Sequence, residues 1–264
     1  MMVRAKKSLG QHFLSDPGIV SQIIEALALR SGETVLEIGP GRGALTHPLV
    51  ESGAEVIAVE LDRVLAPELA RTFAARPNFK VIEADILTID PAGLGLDRFI
   101  LLGNLPYNIT TPIIDWMLKY HEGIDRAVLM MQKEVAERIA SPPGRKARST
   151  ISVITSLYYD CRTVCAVPPQ SFTPPPNVDS TVVSFIRHDR QYAIDNLPRF
   201  ERMVRFCFAG KRKSLLNNLN SAYPIRREEL EEMVIRLFGS GTIRAEQLTL
   251  DEFIRLAQEI FSRV

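Results

Sequence analysis

The sequence has 264 residues, 46% hydrophobic and 24% charged, with a formal net charge of +1. These values exclude a disordered chain, and no apolar run approaches the roughly 18 residues of a membrane span. At roughly 100–200 residues per domain the length fits one large domain or two unequal ones, with no need of a disulfide or metal staple. The start is basic (Arg4, Lys6, Lys7) but precedes no long apolar stretch, so no secretory signal is expected. The cysteines Cys161, Cys165 and Cys207 are odd in number and lack the second Cys/His pair of a zinc site. Reduced, structural thiols, a cytoplasmic location and no metal are the expectation.

In chain order, a helical pattern covers Ile19–Leu29, with Ile23, Ile24 and Leu27 at helical spacing. Short β-rich runs then appear at Thr34–Gly39, Glu55–Glu60, Phe79–Asp85, Phe99–Leu105 and Ala127–Lys133. Helical patterns at Ala44–Glu51, Arg63–Arg76 and Thr111–Tyr120 separate them. The alternation predicts βαβ units and a mostly parallel sheet with helices on both faces. Strand signals return at Arg162–Val167 and Ser180–Arg187, and the proline-rich run between them, Val167–Asn177, is rigid and excludes helix or central strand. After Pro198 only helical patterns follow, at Phe200–Ala209, Lys213–Asn220, Arg227–Phe238 and Leu250–Ser262. Two domains are predicted, 1–189 α/β and 190–264 all-α.

Charge is uneven. From Arg187 onward 14 basic residues face 11 acidic ones. Arg199, Arg202, Arg205, Lys211, Arg212 and Lys213 crowd one short stretch, and a loop adds Arg145, Lys146 and Arg148. Three basic clusters, counting the N-terminal one, suit either a polyanion footprint or three separate solvated faces.

Gly39-Pro40-Gly41-Arg42-Gly43 joins a strand to a helix, and glycines there admit a ligand to the sheet's carboxyl edge. Gly39, Gly41 and Ala44, with Glu60 about 20 residues on, also satisfy the dinucleotide fingerprint. A nicotinamide cofactor and a methyl donor both fit that spacing. Three details favour the donor. Pro40 removes an N–H that a pyrophosphate turn would use. Asp85 ends the third strand where an adenine amine would sit, while Glu60, ending the second within reach of ribose hydroxyls, serves either cofactor. Glu37, Glu60 and Asp85 together are expected to ring the pocket with negative charge, which suits the sulfonium of S-adenosylmethionine.

Leu102–Asn108 follows the fourth strand and contains Asn104-Leu105-Pro106-Tyr107. It resembles the Asn/Asp-Pro-Pro-Tyr motif of methyltransferases acting on amino nitrogens. The lone pair of adenine N6 is delocalised into the ring, so the amine is a poor nucleophile. Acceptors at the Asn104 side chain and the Pro106 carbonyl would favour a pyramidal nitrogen, and Tyr107 offers a flat face. Positioning rather than a strong base would carry the rate. An extruded base is often held between two aromatic faces, and Phe172 in the proline loop is the candidate for the second.

Taken together these segments resemble the ribosomal RNA small-subunit adenine dimethyltransferase family. The resemblance starts at Lys7–Leu14 and runs through the glycine loop, Glu60–Asp62, Asn104–Asn108, Met131–Val135, Ser171–Ser180, Lys211–Leu215 and Arg244–Leu248. It implies a Rossmann-like class I methyltransferase domain with a seven-stranded sheet and a small helical C-terminal domain that binds RNA or the ribosome. It implies dimethylation of N6 on two adjacent adenosines near the 3′ end of small-subunit rRNA, in an immature 30S particle; nothing in the sequence demands more than a monomer. Carried over, S-adenosylmethionine would meet His12, Leu14, Gly39, Glu60, Asp85 and Asn104. The target base would meet Asn104, Pro106, Tyr107 and Phe172, and RNA would meet Arg205, Lys211, Arg212 and Lys213. One departure stands out: Arg148 occupies a position where the family usually has a tyrosine. The rivals are a large-subunit rRNA adenine methylase of the macrolide-resistance type, a nicotinamide dehydrogenase, and a ribosome-assembly factor whose catalysis is dispensable.

Overall fold

The computed structural model describes residues 11–264. The basic residues Arg4, Lys6 and Lys7 and the Lys7–Gly10 part of the first family-like segment lie outside them. The chain divides into two compact units. One takes the chain through Ala136 together with Asp160–Arg187, and the other comprises Glu137–Tyr159 and His188–Val264.

The first unit contains β1 (Phe13–Leu14), α1 (Pro17–Leu27), β2 (Thr34–Ile38), α2 (Thr46–Glu51), β3 (Glu55–Glu60), α3 (Leu65–Thr72), β4 (Phe79–Glu83), β5 (Phe99–Asn104), α4 (Thr110–Lys119), β6 (Ile124–Gln132), β7 (Tyr159–Val167), β8 (Phe172–Thr173) and β9 (Ser180–Arg187). The two short strands β1 and β8 pair apart from the main sheet. That sheet has seven strands in the order β4-β3-β2-β5-β6-β9-β7. β4, β3, β2, β5 and β6 are parallel, and β9 runs antiparallel to β6.

The central strands are buried on both faces, as parallel strands require. Val35, Val56, Ile100, Leu102, Val128 and Met130 face one core with Ile23 and Leu27 of α1, Leu49 of α2 and Leu69 of α3. Their alternates Leu36, Leu101 and Leu129 project the other way and are also fully buried. Order reverses at β2: β3 and β4 extend one way, β5 and β6 the other. In open α/β sheets the crevice at such a switch point, beside the strand carboxyl ends, is where ligands bind.

Local signals fix the first helix. Asp16 accepts from the N–H groups of Gly18 and Ile19, and Pro17 occupies the first turn. Its far end closes on Ala28 at φ 47°. Arg126 of β6 answers the open carbonyls there, donating Nε to Leu27 O (2.5 Å) and Nη2 to Ala28 O (3.0 Å) while pairing with Glu33.

In the second unit, α6 (Thr150–Thr155), α7 (Leu197–Cys207), α8 (Leu215–Asn220), α9 (Arg227–Phe238) and α10 (Leu250–Phe261) pack together. Their core includes Phe200, Met203, Leu219, Leu230, Phe253 and Ile260. Thr249 and Glu252 form a reciprocal cap that starts α10. The unit differs from the predicted 190–264 by the segment 137–159. That segment lies between two sheet strands in sequence, yet α6 buries Val153 and Ile154 and packs on α7, and Gly144 N–H donates to Glu246 O at 2.8 Å. The helix α5 (Lys133–Ile139) spans the boundary.

Candidate active site

A cavity opens at the carboxyl ends of β2, β3, β4 and β5. His12, Leu14, Gly39, Glu60, Asp85, Asn104, Pro106 and Tyr107 all line it. The sheet topology collects Gly39, Glu60, Asp85 and the Asn104–Tyr107 segment at one edge, and the β1 segment, outside the main sheet, adds His12 and Leu14.

The glycine loop is held in left-handed backbone. Gly39 has φ 61° and Gly41 φ 60°, conformations that favour glycine. A Cβ added at Gly41 would sit 3.1 Å from the Phe13 ring, so the loop and β1 lie in close approach and a larger residue requires that ring to give way. The Gly41 N–H donates to Glu60 Oε2 at 3.0 Å, and the Asp62 N–H donates to Oε1 at 2.9 Å. Two backbone donors thus fix the carboxylate plane, and each oxygen keeps a lone pair for a ligand hydroxyl.

Glu37 departs from the expected ring of negative charge. It is 1% exposed and accepts from Thr46 Oγ1 at 2.8 Å. Burial, aided by the nearby Glu60, pushes its carboxyl up to about 8. It is therefore largely protonated at neutral pH. Burial also raises Glu60, with the nearby Asp62 adding to it, against backbone hydrogen bonds from Asp62, Gly41 and Leu61 that lower it. The acidity that faces the cavity comes from Glu60 and Asp85.

Asn104 ends β5. Its Nδ2 donates to the main-chain carbonyl of His12 at 3.0 Å. A carbonyl only accepts, so the amide cannot be flipped, and Oδ1 remains the acceptor. Gly103 lets this strand end lie against β2: a Cβ there would meet Leu105 at 2.9 Å and Ile38 at 3.1 Å. The Tyr107 hydroxyl bonds Ser180 Oγ at 2.7 Å, and its ring stacks on His12 with centroids 5.8 Å apart. Burial raises the Tyr107 phenol, so it stays neutral.

Two expected base contacts require correction. The Pro106 carbonyl already accepts from Ile109 N–H (3.1 Å) and Thr110 Oγ1 (3.2 Å), which closes the turn into α4. Both its lone pairs are in use. The carbonyl of Leu105, whose residue also lines the cavity, accepts nothing from the described residues. Phe172 does not line the cavity. It is 3% exposed and belongs to the hydrophobic core with Leu14 and Val182. Its strand β8 pairs with β1 through Leu14↔Phe172.

The proline loop has another duty. Ser15 N–H donates to Ser171 O (2.8 Å), Ser171 Oγ to Asp16 Oδ2 (2.9 Å), and His12 Nδ1 to Pro174 O (2.8 Å). Pro169–Ser171 form a short 3-10 turn, a local helix that the proline content argued against. The loop thereby stitches the His12–Leu14 wall of the cavity in place.

In the second unit, Lys211, Arg212 and Lys213 are exposed and lie on a turn before α8, whereas a helix was expected from Lys213. Buried Asn218 sets this turn: its Oδ1 accepts from Gly210 N–H (2.9 Å) and its Nδ2 donates to Cys207 O (2.7 Å). Arg205 pairs with Glu201 one turn earlier on α7. The thiols of Cys161 and Cys207 are pushed up by burial, Cys161 to about 12, which marks both as inert.

A family model described as ribosomal RNA adenine dimethylase matches residues 2–261. The chain belongs to this family. It is 41% identical to the ribosomal RNA small subunit methyltransferase A of Thermosynechococcus vestitus, over 97% of each chain. It is 40% identical to the protein of the same name from Pseudomonas putida, over 97% of this chain and 95% of that one. A dimethyladenosine transferase from Plasmodium falciparum superposes with TM-score 0.80 at 29% identity, covering 95% of this chain and 98% of that one. The 23S rRNA methyltransferase ErmE gives TM-score 0.76 at 30% identity, covering 94% and 99%.

The fold of this ribosomal RNA adenine dimethylase is therefore the class I methyltransferase fold, and a methyl donor of the S-adenosylmethionine type follows from fold and family. Sequence spacing missed Ser180 as the support of Tyr107. The two are 73 positions apart, and no local pattern links them. The Leu105 carbonyl is missed for a different reason: only the observed bonds to Pro106 show which carbonyl of the motif stays open.

Proposed function

We propose that the chain transfers methyl groups from S-adenosylmethionine to N6 of two adjacent adenosines in a hairpin loop near the 3′ end of small-subunit rRNA, dimethylating each during maturation of the particle. S-adenosylmethionine supplies an electrophilic methyl on a cationic sulfonium. Glu60, held by two backbone N–H groups, accepts from ribose hydroxyls, and Asp85 accepts from the adenine amine. Asn104 Oδ1 and the Leu105 carbonyl take the two N6–H bonds of the target. Holding both draws the nitrogen towards a pyramid and frees its lone pair. Tyr107 backs the base, and the proton leaves only after transfer, so no strong base is needed.

The pinned amide of Asn104 is the observation that carries this reading. It presents an acceptor where a catalytic base or hydride channel would need another group. The relatives named for the small subunit favour that substrate over the large-subunit alternative, since the ErmE likeness shows a scaffold both can share. The exposed turn at Lys211–Lys213 and Arg205 would contact rRNA phosphates. A monomer acting in the cytoplasm on an immature 30S particle completes the proposal. Incubation with labelled S-adenosylmethionine and purified unmodified subunits tests it. Label is expected in the small subunit, and label confined to the large subunit would reverse the assignment.

A further inference from the structure

The second unit holds a guanidinium that its fold does not pair. Arg148 is 7% exposed. Its Nη1 donates to Ser141 O at 3.0 Å, and its Nε is buried with no partner. Among the described residues no carboxylate pairs with it. Burial pulls its pKa down. A buried cation without a counter-ion is costly, so the arrangement asks for an anion.

A cavity is present to receive one. Arg148, Ser156, Arg190, Tyr192 and Asp251 line it, and all belong to the second unit. Its wall carries two guanidiniums against a single carboxylate, Asp251 at the start of α10. His188 stands behind this wall. Its Nε2 donates to Ser156 O at 3.2 Å, its ring meets Tyr192 edge-on, and its Nδ1 is a second buried atom without a partner. The loop is anchored, because Arg148 N–H donates to Arg145 O and Gly144 N–H to Glu246 O. Arg145 and Lys146 on the same loop are exposed and add positive field.

We propose that this cavity is a phosphate-binding site, with Arg148 as its buried fork and Arg190 as its exposed second cation. A guanidinium matches a phosphate through two parallel N–H bonds, and with one Nη1 N–H on Ser141 O, Arg148 has the other Nη1 N–H and Nη2 left to give. That the phosphate belongs to an RNA backbone rests on the rRNA substrate proposed above. A free phosphate ion has the same chemistry.

Thermal unfolding of the full chain separates the cases. Inorganic phosphate is titrated at constant ionic strength into the native chain, Arg148→Met and Arg190→Gln. The native melting temperature should rise with phosphate. Arg148→Met should lose that rise and, without phosphate, melt no lower than the native chain. Arg190→Gln, an exposed change that spares the core, should weaken phosphate binding several-fold. In methylation of small subunits, Arg148→Met should raise KM several-fold and flatten the salt slope by about 0.7–0.9. A phosphate effect without those kinetic changes would assign the site to free phosphate. Native melting indifferent to phosphate, or an undiminished rise in both variants, would overturn the proposal. Absence of methylation by the native chain would sink the substrate reading alone, since the phosphate titration does not depend on it.

Discussion

The side-chain amide of Asn104 donates to the His12 carbonyl across 3.0 Å, and this bond decides which end of the amide faces the cavity. The acceptor is fixed before any substrate arrives, which is preorganisation in its simplest form. Asn104→Ala should lower kcat by about 10²–10³ while donor affinity changes far less. Single-turnover methylation and calorimetric titration of the donor measure the two separately. A kcat within a factor of two of the native value would remove Asn104 from the chemistry.

Glu60 is the donor-side counterpart. Its two oxygens already accept from Gly41 and Asp62 N–H groups. Glu60→Gln keeps the shape but replaces one acceptor oxygen with a donor nitrogen, which then opposes a backbone N–H. Hydrogen bonds to charged groups contribute about 1.5–3 kcal/mol, so donor affinity should fall ~10–100-fold. Titration of S-adenosylmethionine into the variant checks this, and native affinity would contradict the role.

Ser180 supports the base-facing ring from outside the motif. Ser180→Ala leaves the Tyr107 hydroxyl without its 2.7 Å partner and should cost about 1 kcal/mol of stability together with a several-fold loss of kcat. Adding Tyr107→Phe to Ser180→Ala should cost little more, because both changes remove the same bond. Additive losses in the double variant would show that the two residues act separately.

The strand and helix pattern was legible because parallel strands buried on both faces read as continuous apolar runs, as at Phe99–Asn104, and amphipathic helices such as Arg227–Phe238 show their stripe. The site's edge residues Gly39, Glu60, Asp85 and Asn104 were legible for a related reason: each ends a strand or follows it, and the topology collects strand ends. What escaped depends on partners distant in sequence. Phe172 looks like a loop aromatic free to stack, yet pairing of β8 with β1, about 160 positions away, draws it into the core. Glu37 carries a charge on paper and loses most of it to burial. The segment 137–159 interrupts the strand series but packs with α7, and packing leaves no local mark in so short a helix as α6.

Protonation of Glu37 has a measurable consequence. Its carboxyl is raised to about 8 in the fold from 4.5, so the native state holds a proton that the unfolded chain releases. Stability from this group is complete below about pH 4.5 and declines as pH rises through 8. Glu37→Gln removes the titration. Its melting temperature relative to the native chain should improve steadily from pH 5 to pH 8.5. A constant difference across that range would mean that Glu37 is ionised in the fold.

The basic turn makes an electrostatic prediction. Lys211, Arg212 and Lys213 are exposed, and removing one cation from an RNA phosphate should flatten the log–log salt dependence of substrate binding by about 0.7–0.9. Lys211→Ala, Arg212→Ala and Lys213→Ala, tested singly for binding to small subunits at several salt concentrations, should also weaken affinity. An unchanged slope in all three would place this turn away from the RNA.

The most direct test is mass spectrometry of small-subunit rRNA from unmodified particles after incubation with the chain and S-adenosylmethionine, with Asn104→Ala in parallel. The account predicts N6,N6-dimethyladenosine at two neighbouring positions near the 3′ end with the native chain, and almost none with the variant. Methylation at a carbon or ring nitrogen, or equal dimethylation by both proteins, would contradict it.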